Sequence, residues 1–213
     1  RKLYVVMYHY VRDLLYSRYP AIRGLDYNFF KQQIAFFNQN FNVVTMEQVL
    51  DAVNGGELPE KALLLTFDDG YIDHYTFVLP VLKAYNMQGS FFIPGKTFAE
   101  DSLLDVNKIH FILASAKEGE LLTELFKQMN YYRGSEYEYI SNDELFQKYA
   151  VSNRFDTRET IFIKRMLQTV LPEQLRNIIT TNMFEKFVRV DEKKFARELY
   201  MSREQIWMLK KNG

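Results

Sequence analysis

Apolar residues follow two different spacings along the first hundred positions. LYVVMYHYV (3–11), rich in β-branched and aromatic residues, predicts a strand. DYNFFKQQIAFFNQNF (26–41) then places Phe29, Phe30, Ile34, Phe37 and Phe41 at helical spacing. NVV (42–44) is a short strand candidate. In TMEQVLDAVNGG, Thr45 and Gln48 have the spacing of a capping box, and Gly55 can close the helix. ALLLTF (62–67) is apolar without alternation, which suits a strand covered on both faces in a parallel sheet. A helix over about 75–85 and a short strand in GSFFIPG (89–95) complete a right-handed βαβ unit.

The pattern changes near residue 103. Strand signals fade, and LLTELFKQM, SNDELFQKYA and RETIFIKRMLQTVL are amphipathic at helical spacing. Ser141 with Glu144, Asp156 with Glu159, and Ser202 with Gln205 have capping-box spacing. YYRGSEYEYIS (131–141) reads as a polar loop, and Gly213 sits where a helix C-cap glycine would. Three parts are expected: an α/β part over 1–102, a helical insertion over 103–200, and a return to the first part over 201–213.

Composition narrows the function classes. With 47% hydrophobic and 25% charged residues, the 213-residue chain can build a sizeable core. Its 27 basic and 27 acidic residues give no net charge, which argues against a nucleic-acid partner engaging the whole molecule. There is no cysteine, so disulfides, thiolate metal sites and a cysteine nucleophile are excluded. No apolar run reaches the roughly 18 residues of a membrane span. Neither a cytoplasmic nor an exported location is favoured.

The buried run 62–67 ends on two carboxylates, Asp68 and Asp69, followed by Gly70 and Tyr71. Neighbouring negative charges repel, and burying either is costly without a cation or hydrogen bonds. In parallel α/β folds, ligands gather at the carboxyl ends of the strands, where this pair falls. One carboxylate there can hold a cation while its neighbour accepts a proton. A bare Asp-Asp-Gly is also compatible with an acidic turn that has no catalytic role.

TFDDGY resembles the first motif of the polysaccharide deacetylases, the NodB-homology carbohydrate esterases of family 4. VVMYHYV resembles that family's opening strand. TFVLPVLKAYNMQGSFFIPG is similar to the helix and strand that follow its Asp pair, and SREQIWMLKKNG to the helix before its second motif. The resemblance covers about 1–98 and 201–213. It implies the N-terminal part of a distorted (β/α) barrel and hydrolysis of an acetamido group on a sugar or polysaccharide. It further implies Asp68 as general base and Asp69 as a ligand to a divalent metal, zinc by the family's habit. His9, on the same rim, and Tyr71 are candidates to line the pocket.

The family's second motif carries two histidine ligands, and the chain contains no such histidine pair. The expectation is therefore a site half encoded in these residues, with little activity from them alone and self-association through uncovered barrel edges. The alternatives are a catalytically inactive NodB-like domain that binds a sugar or a partner, and an unrelated α/β domain with an acidic turn. Asp73 is expected to cap the next helix, His74 to be exposed or capping, and His110 to be a buried structural residue. Trp207 is expected to pack against its neighbours.

Overall fold

The computed structural model describes residues 2–134 and 137–212. Gly213, and Ser135 and Glu136 of the polar loop, lie outside them. The chain divides into two compact units, Arg1–Ser102 with Glu192–Gly213, and Leu103–Asp191. The segment 103–200 is thus shared between the units, its last helix falling in the first.

In the first unit, β1 (Leu3–Tyr8) precedes β2 (Val11–Arg12), β3 (Leu25–Asp26) and α1 (Tyr27–Asn40). Then come β4 (Asn42–Val44), α2 (Met46–Val53) and β5 (Ala62–Asp68). A π-helical turn, His74–Val78, leads into α3 (Leu79–Ala84), followed by β6 (Ser90–Phe92) and α4 (Lys96–Ala99). The expected strand 3–11 is broken at His9 and Tyr10. β2 turns away to pair with β3 in a separate two-stranded parallel ribbon.

β5 is the centre of a parallel four-stranded sheet. β1 pairs along it from Ala62 to Phe67, β4 against Ala62–Leu64, and β6 against Thr66–Asp68. β1 occupies one edge of β5, so β4 and β6 share the other. The apolar run at 62–67 has a direct cause in this position. Leu63, Leu65 and Phe67 pack with Phe30, Ile34, Val78 and Leu82, while Ala62 and Leu64 pack with Val44 and, on α2, Met46 and Val49. Both faces are covered, and alternation would leave a polar side chain in a core.

The turn at His74–Val78 is one residue wider than an α-helix, with the Leu79 N–H donating to the His74 carbonyl. Pro80 explains it: proline has no N–H and its ring crowds the carbonyl four residues back. The capping box at Thr45 and Gln48 forms as the spacing predicts, and Gly55 follows the helix with φ of 107°.

The second unit is helical. It comprises α5 (Asp105–Ser115), α6 (Glu118–Tyr132), α7 (Asn142–Tyr149) and α8 (Arg158–Arg165), a π-turn Met166–Val170, and α9 (Glu173–Phe187). Its core draws on Ile109, Phe111, Leu125, Phe162, Ile179 and Phe184. Ser141 and Glu144 form their box, but α8 is capped one residue later than expected, by Thr157. The Thr157 hydroxyl oxygen accepts from Thr160, and Asp156 instead pairs with Lys164 at 2.8 Å. His110 is half-buried rather than buried.

The first unit closes with α10 (Glu192–Leu199) and α11 (Arg203–Lys211). Ser202 and Gln205 cap α11 reciprocally. Trp207 is 64% exposed, not packed, because Leu209 alone carries the buried face of α11.

Candidate functional site

Side chains alternate along β5, so Asp68 projects to the same face as Ala62, Leu64 and Thr66. Asp68 is the last residue of the strand and is half-buried. The chain then reverses through Asp69 and Gly70, which both have left-handed backbones, with φ of 73° and 66°. A left-handed conformation is unfavourable for a non-glycine residue, least so for Asp and Asn. At Gly70 a side chain would also meet Ile93 at 3.0 Å.

Three contacts hold this turn. The Tyr71 hydroxyl donates to Asp69 Oδ2 at 2.6 Å. The Met201 N–H donates to the Gly70 carbonyl at 2.9 Å. Tyr71 and Tyr200 form an antiparallel backbone bridge, with their rings stacked at 6.0 Å. On the other side of Tyr71 lies Tyr10, its ring centroid at 4.1 Å. Tyr71 has no exposed surface, so it lies beneath the turn and does not line an open pocket. Burial drives its hydroxyl, and that of Tyr10, well above the ordinary tyrosine range, so both are neutral.

The next residues anchor the turn from behind. Asp73 begins the following helix but makes no side-chain cap. It is instead gripped by Arg12 through two hydrogen bonds, Nε to Oδ2 at 2.8 Å and Nη2 to Oδ1 at 3.0 Å. Both side chains are largely buried, at 12% and 4% exposure. Burial pushes the Asp73 carboxyl upward from its usual range, and Arg12 opposes that shift. The pair was missed in the sequence, where a charge at Arg12 inside an aromatic strand was the available signal.

His74 is fully buried, not exposed, among Phe67, Tyr71 and Phe91. Its Nε2 lies 2.9 Å from the His9 carbonyl, so this nitrogen carries the proton. Its Nδ1 is buried without a hydrogen-bond partner among the described residues. Desolvation lowers its pKa to about 4, so the ring is neutral near pH 7. His9 is half-buried, and the contact that ties it to this cluster is its backbone carbonyl.

The donor set can be compared with what a metal requires. Among the described residues, no three His, Asp or Glu side chains converge. Asp69 is flanked by a tyrosine hydroxyl, and the nearby His74 has its one deprotonated nitrogen enclosed by aromatic rings. Zinc takes three or four protein ligands. These side chains do not make such a site by themselves.

Residues 55–132 match the family model described as polysaccharide deacetylase, a match that runs beyond residue 102 into α5 and α6. The chain is 46% identical over 57 residues to a poly-β-1,6-N-acetyl-D-glucosamine N-deacetylase of Escherichia coli K12, covering 26% of this chain and 8% of that protein. It is 32% identical over 98 residues to the Bacillus subtilis 168 protein YxkH, described as a polysaccharide deacetylase, covering 45% of this chain and 33% of that one. The chain therefore spans a third or less of these relatives. A solved de-N-acetylase from Aggregatibacter actinomycetemcomitans is 36% identical over 42% of this chain and 36% of its own, with a TM-score of 0.37.

Proposed function

We propose that this chain, whose residues 55–132 belong to the polysaccharide deacetylase family, supplies the general-base half of a carbohydrate N-deacetylase site. The substrate class is an N-acetylated sugar or polysaccharide, in keeping with the activity for which the E. coli relative is named. The parallel strands around β5 would belong to a distorted barrel of the NodB type, with the helical unit inserted in it.

In this reading Asp68 accepts a proton from the attacking water, whose oxygen adds to the acetamido carbonyl carbon. The C–N bond then breaks as the departing nitrogen takes up a proton, releasing acetate and leaving a free amine on the sugar. A general base must sit at a fixed place beside the substrate, and the end of a doubly covered strand provides one. Asp69 would contribute one ligand to a divalent cation, zinc by family habit, with its remaining donors supplied from outside the described residues. That cation, when bound, would polarise the carbonyl. The steps assigned to this chain's own residues are the proton transfer at Asp68 and the positioning of Asp69.

The observation that carries the reading is the coincidence of the family match with the braced Asp68–Asp69–Gly70 turn at the carboxyl end of β5. The test is acetate release from N-acetylglucosamine oligomers by the full-length protein and its Asp68→Asn variant. Release by the parent, lost in the variant, supports the reading. Binding without release by the parent points to the inactive sugar-binding alternative.

A further inference from the structure

Tyr10 sits at the break between β1 and β2 and is 3% exposed. Its packing asks only for an aromatic ring. That ring stacks on Tyr71 with centroids 4.1 Å apart, and the Arg12 guanidinium lies 4.8 Å from its centroid. A phenylalanine would serve both contacts, and a buried hydroxyl costs stability unless it is hydrogen-bonded. We propose that the Tyr10 hydroxyl is a positioning group for the Asp69 carboxylate, acting through Tyr71. This rests on the deacetylase reading above and adds a buried residue to its site.

The direction of the chain follows from counting protons. The Tyr10 and Tyr71 hydroxyls are hydrogen-bonded to each other. Each phenol has one proton to give. Tyr71 gives its proton to Asp69 Oδ2 at 2.6 Å. In the bond between the two tyrosines, Tyr10 is therefore the donor and the Tyr71 oxygen the acceptor. A donor behind Tyr71 polarises its O–H and strengthens the bond to Asp69.

The far end of the chain is anchored. Arg12, which lies against Tyr10, is itself held by both carboxylate oxygens of Asp73. Tyr200, 6% exposed, stacks on Tyr71 at 6.0 Å. Neither phenol can swing to a new rotamer without disturbing this packing. At the near end, Asp69 has a left-handed backbone with φ of 73°. Among the described residues, the bond from Tyr71 is the one hydrogen bond its carboxylate makes. The chain thus sets the orientation of a carboxylate that nothing else described holds, and leaves Oδ1 available next to Asp68.

Full-length protein carrying Tyr10→Phe, Tyr71→Phe or both tests this in two readouts: turnover of an N-acetylglucosamine oligomer and the urea midpoint. All three variants keep the rings. Tyr10→Phe is expected to lower kcat about fivefold with KM unchanged, the scale of one neutral hydrogen bond. The double variant should turn over no more slowly than Tyr71→Phe alone, because Tyr10 acts through Tyr71. Its urea midpoint should be higher than that of Tyr71→Phe, which leaves the Tyr10 hydroxyl buried without its acceptor. Independent packing roles predict additive losses in both readouts. Additive losses, or parent-like kcat in Tyr10→Phe, overturn the chain and leave the deacetylase reading standing. A parent protein that releases no acetate, with the midpoint recovered in the double variant, refutes that reading and supports the chain.

Discussion

The Tyr71 hydroxyl donates to Asp69 Oδ2 at 2.6 Å, from a ring clamped between Tyr10 and Tyr200. A residue with a left-handed backbone is thereby joined to one of the most buried side chains of its unit. Tyr71→Phe keeps the ring stack and removes only the donor. A hydrogen bond to a charged group contributes about 1.5–3 kcal/mol, so turnover should fall tenfold or more while KM changes little. Steady-state kinetics beside a melting curve checks this, and parent-like turnover in Tyr71→Phe, with a loss in Tyr71→Ala alone, would count against it.

Arg12 and Asp73 form a bidentate pair across 61 residues with almost no exposed surface. Removing one partner of such a pair costs about 3–5 kcal/mol, whereas replacing both with apolar groups can be close to neutral. Arg12→Ala should therefore be strongly destabilised in denaturant titration, and Arg12→Met with Asp73→Leu much less so. Similar midpoints for the single and double variants would contradict the account.

His74 makes stability depend on pH. Its folded pKa, about 4, lies below the ordinary histidine value of 6.5, so between those limits the unfolded chain binds more protons than the folded one. Stability contributed by the neutral ring is complete above about pH 6.5 and is lost as pH falls toward 4. The loss is on the order of 3 kcal/mol. Urea midpoints at pH 7 and pH 4.5 should converge in His74→Gln relative to the parent; identical pH slopes would exclude this role.

β1 exposes Tyr4, Val5 and Met7 at 47%, 56% and 60%, on a strand paired to β5. An apolar strand surface of this kind favours association. The 213 residues expressed alone are predicted to self-associate, and Val5→Lys to reduce it. Sedimentation velocity reads both, and a monomeric parent at high concentration would oppose the prediction.

Local spacing made much of the first unit legible. β5, α1 and the three Ser/Thr–Glu/Gln boxes follow from patterns within a few residues, and Asp68 and Asp69 stood out as charges ending a buried run. Long-range pairs were not legible. Asp73 has the sequence of a helix cap, yet Arg12 claims it from 61 positions away. His74 was expected to be exposed or capping because it falls at a helix start, and only the fold surrounds it with Phe67, Tyr71 and Phe91. Trp207 was expected to pack because hydrophobicity does not say which side of α11 faces inward.

The most direct measurement of the central claim is acetate release from an N-acetylglucosamine oligomer by the full-length protein and by Asp68→Asn. The account predicts release by the parent and a loss of at least a hundredfold in the variant, the lower end of what a general base contributes. Equal release by both would contradict it.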